Sequence, residues 1–201
     1  MPRTNNSDPE YVAFVAGRLL ASGSLEAVAL AAKLATDAGA PRVVQVMNGR
    51  TSEPRDLDLG GTVEQVLARL STGDHAPASP TQSRSGPGRP RLGVVAREVT
   101  LLPRHWAWLS EQSGGASAAL RRLVDEARST HAGRDAHRKA LDAVYRFVQA
   151  TLGDAPGFEE ASRALFAGDE ARFVAESEAW PADLRAHALT LARAVFEPAR
   201  T

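Results

Sequence analysis

Tyr11-Val12-Ala13-Phe14-Val15-Ala16-Gly17-Arg18-Leu19-Leu20-Ala21-Ser22 is the stretch on which the fold turns. Tyr11, Ala13 and Val15 alternate with Val12 and Phe14, the two-residue period of a strand, and Gly17 supplies a turn, so the stretch predicts a hairpin. Immediately downstream, Ser24 has the character of an N-cap for an Ala-rich helix over 25–38, which Gly39 and Pro41 end. Val43-Val44-Gln45-Val46-Met47 then reads as a strand, and Asn48-Gly49 is a strong turn dipeptide. A return strand is expected near Arg55 to Leu59, followed by a short helix from Val63 to Leu70 capped by Thr62. The order ββαββα predicts a small α+β domain over residues 1–70, with a mostly antiparallel sheet.

Residues 71–92 change character. Ser, Pro, Gly and Thr replace apolar residues, and such a segment cannot bury enough apolar area to offset its ordering entropy, so it reads as a flexible linker that mild proteolysis would open first. Regular patterning returns at Val94. Val94 to Leu102 is strand-like, and Pro103 suits the first position of a helix reaching about Gln112. Ser113-Gly114-Gly115 is a turn, and Ser117 can cap a helix from Ala118 to Ser129. The remainder is helical: Asp135 to Leu152, Phe158 to Phe166, Glu170 to Ala179 and Pro181 to Phe196. The expected organisation is therefore α+β at 1–70, a linker at 71–92, a strand and two helices at 93–130, and a helical bundle at 131–201.

Composition bounds the function. Hydrophobic residues at 43% and charged residues at 24% are ordinary for a folded protein. The chain has no cysteine, which removes disulfides, thiolate metal sites and thiol nucleophiles. No apolar run is long enough to span a bilayer, and the first ten residues carry no apolar signal, so a cytoplasmic protein with no membrane role is expected. Net charge is zero but unevenly spread: −2 over residues 1–83, +6 over 84–150 and −4 over 151–201. A basic middle between acidic flanks points to a polyanionic partner, although Arg-rich helix faces also arise for solubility alone.

No arrangement for catalysis emerges. His75, His105, His131, His137 and His187 form no metal-ligand spacing and read as isolated, exposed side chains. Gly60-Gly61-Thr62 opens a helix without the Lys of a phosphate loop. Glu159-Glu160 sits where a helix dipole favours acids. The expectation is a protein that is not an enzyme and has no catalytic, metal or cofactor residues.

Val99-Thr100-Leu101-Leu102-Pro103-Arg104-His105-Trp106-Ala107-Trp108-Leu109, followed by Gly114-Gly115-Ala116-Ser117-Ala118-Ala119-Leu120-Arg121-Arg122-Leu123-Val124, resembles a ribbon-helix-helix unit. That resemblance implies a homodimer through the 94–102 strand, whose paired ribbon enters the major groove. It places Thr100 and Glu98 toward the groove and Val99 and Leu101 toward the core, with Arg97 and Arg104 on phosphates and Ser117 at a phosphate-binding helix start. Otherwise Trp106, Leu109, Leu120, Leu123 and Val124 simply pack a core within the chain, with Trp106 rather than Trp108 buried. Upstream, Gly88-Arg89-Pro90, flanked by Arg84 and Arg91, resembles the core of an AT-hook, implying an extended arm along an A·T minor groove. The longer run Gly86 to Trp106, together with Phe158-Glu159-Glu160-Ala161-Ser162-Arg163-Ala164-Leu165 and Trp180-Pro181-Ala182-Asp183, resembles a bacterial family known as domain of unknown function 2239. That resemblance spans nearly the full length and implies a shared architecture but no activity. Two readings result: a DNA-binding, regulator-like protein whose partner is duplex DNA, or a non-catalytic protein-interaction scaffold with no nucleic-acid role.

Overall fold

Alternation along Tyr11–Val15 sends Val12 and Phe14 to one side of a sheet and Ala13 to the other, and the architecture follows from covering both sides. The computed structural model describes residues 10–40, 43–73 and 97–197. The expected linker from residue 74 onward, Arg84, Arg89, Arg91 and residues 94–96 of the expected strand lie outside the described residues. Strands β1 (Tyr11–Val15), β2 (Arg18–Gly23) and β3 (Gln45–Asn48) form an antiparallel sheet in the order β2-β1-β3. Helices are α1 (Leu25–Asp37), α2 (Val63–Gly73), α3 (Pro103–Ser110), α4 (Gly115–Leu152), α5 (Phe158–Ala167), α6 (Glu170–Glu176) and α7 (Ala182–Phe196). The mixed α+β class is as expected, with a small sheet near the N-terminus and a mostly helical C-terminal half.

The chain divides into two units, Met1–His75 with Arg134–Thr201, and Ala76–Gly133. In the first, one sheet face carries Ala13 and Val46 against Val28 and Ala32 of α1. Leu25, Val28, Ala29 and Ala32 recur at helical spacing, and the alanines let the helix approach the strands closely. Ser24 caps α1 by accepting from the Ala27 amide at 3.3 Å. The other face, Val12, Phe14 and Met47, packs with Val144, Phe147 and Val148 of α4, Leu165 of α5, Phe173 of α6 and Leu184 and Ala188 of α7. The β1–β2 turn holds Ala16 at φ 48° and Gly17 at φ 79°, both left-handed, which matches the twist of a tight hairpin. A Cβ on Gly17 would lie 3.4 Å from Pro181.

The expected return strand at 55–59 is reduced to a single bridge, Met47 with Pro54. Asn48 donates to the Glu53 carbonyl at 2.9 Å and Arg55 to the Val46 carbonyl at 2.8 Å, but no backbone hydrogen bond joins 56–59 to 43–45 among the described residues. Thr62 caps α2 in a reciprocal box: its Oγ1 accepts from the Gln65 amide at 3.4 Å, and its own amide donates to Gln65 Oε1 at 3.0 Å.

In the second unit, α3 starts at Pro103 as expected and stops at Ser110 rather than Gln112. Leu109 and Ala119 are its buried hydrophobics among the described residues. The helix expected at 118–129 does not end there; it begins at Gly115 and runs unbroken through Gly133 as α4.

Candidate nucleic-acid interface

Arg97 and Thr100 lie in a segment, 97–102, that forms neither helix nor ladder among the described residues. Its last residue, Leu102, is extended (φ −68°, ψ 152°) and leads directly into α3. Arg104 sits in the first turn of α3. Ser117 is not the cap of α4 but a residue within its first turn, because the helix has already begun at Gly115. Its carbonyl accepts from Arg121 Nε at 3.2 Å. Arg97, Thr100, Arg104 and Ser117 are all solvent-exposed.

Trp106 is not the core residue that sequence reasoning selects. Trp106 is 43% exposed and Trp108 48%, so both flanks of α3 carry an open indole while Leu109, between them in angle, faces inward. Val99, Leu102, Leu123 and Val124 are likewise exposed, and 121–133 of α4 is exposed on every face. Helical geometry sets the two indoles about 160° apart, so one core could take at most one of them.

Electrostatics are more diffuse than the segment totals suggest. Of the excess of six positive charges in 84–150, three fall in 84–96, outside the described residues, one in 97–133 and two in 134–150. Among the described residues no cluster of three His, Asp or Glu side chains stands at metal-binding proximity. His105, His131 and His137 are exposed as expected. His187 departs from the expectation. It is half-buried between Phe14 and Phe147, with ring centroids at 5.6 and 4.7 Å, and its Nε2 is buried without a hydrogen-bond partner. Burial pushes its pKa below the usual histidine value.

Both members of the Glu159-Glu160 pair are engaged in surface ion pairs. Glu160 pairs with both Arg163 and Arg172, and Arg172 also lies 3.7 Å from Glu176, so the pair ties α5 to α6 at the surface. Trp180 is buried, edge-on to Phe173 at 5.9 Å, and donates from Nε1 to the Pro156 carbonyl at 3.0 Å.

The family model described as "uncharacterized protein conserved in bacteria (DUF2239)" matches residues 10–192. The chain belongs to that family. No curated protein and no solved structure matches it. No helix among the described residues is long and apolar enough to cross a membrane.

Proposed function

We propose that the chain is a DNA-binding, regulator-like protein that acts as a homodimer through the 94–102 segment. The observation that carries this reading is the segment at 97–102, without a ladder partner among the described residues and with Val99 and Leu102 open to solvent, running straight into α3, whose two tryptophans are also open. Unpaired apolar strand-formers are normally protected, and a second copy pairing with 94–102 protects them while creating a two-stranded ribbon. In that ribbon Thr100 faces the major groove. Arg97 and Arg104 contact phosphates, the first turn of α4 around Ser117 holds another, and the Arg84–Arg91 arm follows an adjacent minor groove through Arg89.

The test is a gel-shift titration against random and A·T-rich duplexes at two salt concentrations. The reading expects binding that weakens with salt. Each of Arg97→Ala and Arg104→Ala should lower the slope of log affinity against log salt by about one unit. Arg89→Ala should weaken A·T-rich duplex more than G·C-rich duplex. No binding at micromolar protein and about 50 mM salt, where nonspecific contacts are strongest, ends the DNA reading. A second reading, a protein-interaction scaffold, draws on a specific observation: exposed tryptophans are typical anchors of protein interfaces, and the excess charge over 97–133 is only one.

A further inference from the structure

Where the ladder between β3 and the 53–55 return stops, a groove of about 600 Å³ opens within the first unit, lined by residues 43–47 on one side and 54–59 on the other. Its two long sides continue the two paired segments. The Asn48 amide donates to the Glu53 carbonyl at 2.9 Å, and the Val46 carbonyl accepts from the Arg55 amide at 2.8 Å. Even-numbered residues on the β3 side therefore turn their backbone polar groups toward the return, and odd-numbered residues of the return turn theirs to meet them. Val44 and Leu57 are next in line, and neither makes a backbone hydrogen bond among the described residues. Amides and carbonyls at a sheet edge are a template for another strand. Here two such edges border one slot.

The two faces of the slot differ. Met47 and Pro54, directly opposite each other, share the sheet face whose core includes α4. Gln45 follows on that face, and its side-chain amide donates to the Ala150 carbonyl at 3.4 Å. Asp56, two residues beyond Pro54, comes to the same face and is exposed. The other face carries Val44, Leu57 and Leu59, half-buried against the cluster that includes Val28 and Ala32 of α1. Thr36 lines the groove too, its hydroxyl already donating to the Ala32 carbonyl at 2.8 Å. Asp58 is held by the Gly60 amide at 3.0 Å and lies 3.4 Å from Arg69, and Arg55 is engaged within the chain, so the charge the slot offers is the Asp56 carboxylate. One face is thus aliphatic and the other polar and acidic.

We infer that the groove receives an extended peptide of a partner protein, added as a strand beside Val44 and Leu57. Its apolar side chains face Leu57 and Leu59, and basic side chains at the intervening positions face Asp56. Strand addition supplies affinity through main-chain hydrogen bonds, and the surfaces that alternate side chains meet select the sequence. The slot accommodates about five extended residues, roughly 16 Å of chain. The inference is independent of DNA binding.

The test is an amide NMR titration of the full chain with a capped pentapeptide alternating lysine and valine. Saturable shifts are expected at residues 43–47 and 54–59, with slowed hydrogen exchange at the Val44 and Leu57 amides. The same peptide N-methylated at both valines lacks the donors along one edge and should bind about tenfold more weakly, the net contribution of one or two hydrogen bonds. A peptide of the same composition with its lysines and valines in separate blocks should also bind more weakly. Asp56→Asn should weaken the alternating peptide about two- to fivefold, as for an exposed ion pair, and reduce its salt dependence, while Asp56→Glu should retain binding. Urea midpoints establish that both variants are folded. Equal affinity for the N-methylated or blocked peptide, shifts that do not saturate, shifts centred elsewhere, or binding unchanged in Asp56→Asn would each overturn the assignment.

Discussion

Gly157 is tightly constrained by the backbone beside it. It sits at φ 78° before α5, and a Cβ there would come within 2.3 Å of the Glu176 carbonyl oxygen at the end of α6. Both left-handed strain and a backbone clash oppose any side chain. Gly157→Ala is expected to cost on the order of 3 kcal/mol in urea unfolding, against a few tenths for an unhindered surface glycine. His187 gives a pH signature. Its folded pKa is depressed by burial, so the unfolded chain takes up the proton first and stability rises with pH through this group. That contribution is complete above the ordinary value near 6.5 and is lost as pH falls through the lower, folded pKa. His187→Gln should flatten the midpoint-versus-pH curve between neutral and mildly acidic pH; an unchanged slope would show that the imidazole is not the titrating group. The tryptophans teach a different lesson. Sequence spacing correctly shows that Trp106 and Trp108 cannot share one core, but it cannot show that neither is covered. Each Trp→Ala is therefore expected to cost under about 1 kcal/mol at concentrations where the chain is monomeric, as for surface positions.

At the scale of elements, legibility tracks local chemistry. The hairpin, α1 and α2 were readable because caps and turns are written in adjacent residues: Ala16-Gly17 at positive φ, Ser24 on the Ala27 amide, Thr62 with Gln65. Thr62→Ala should therefore cost about 1 kcal/mol, measured as a shift in thermal or urea midpoint. It should also release the depressed pKa of Glu64, which the Thr62 hydroxyl lowers first among its causes. Two elements were misread for opposite reasons. The return strand at 55–59 has the right alternation, but its ladder ends after one bridge, Met47 with Pro54. The break expected between Ser129 and Asp135 does not occur, because the one glycine there, Gly133, costs a helix only about 1 kcal/mol and the flanking Ala, Arg and Lys outweigh it. Of the candidate site, the residue types and their exposure were legible. Under the proposed dimer, Val99→Lys would set like charges across the two-fold ribbon, and sedimentation at increasing concentration should show only monomer.

At the scale of the whole molecule, the helices that cover one face of the N-terminal sheet come from the far side of the sequence. Phe14 touches Phe147 at 5.5 Å between ring centroids, across more than a hundred intervening residues. Nothing in the periodicity of residues 10–73 announces this, because a strand shows which of its faces is apolar but not what covers it. The shared core has a consequence on the ribosome. Chains emerge at about 5–20 residues per second, so roughly 5–20 s separate the synthesis of Met47 from that of Phe147. Throughout that interval Val12, Phe14 and Met47 belong to a nascent sheet with one bare apolar side, a surface that invites holdase chaperones or self-association. Stalled nascent chains that end before Arg134 should remain open to brief protease treatment in the 10–73 region, and chains extended past Phe196 should become resistant there. Equal resistance at both lengths would mean that α1 and α2 alone hold the sheet, and that the newborn protein never passes through this vulnerable stage.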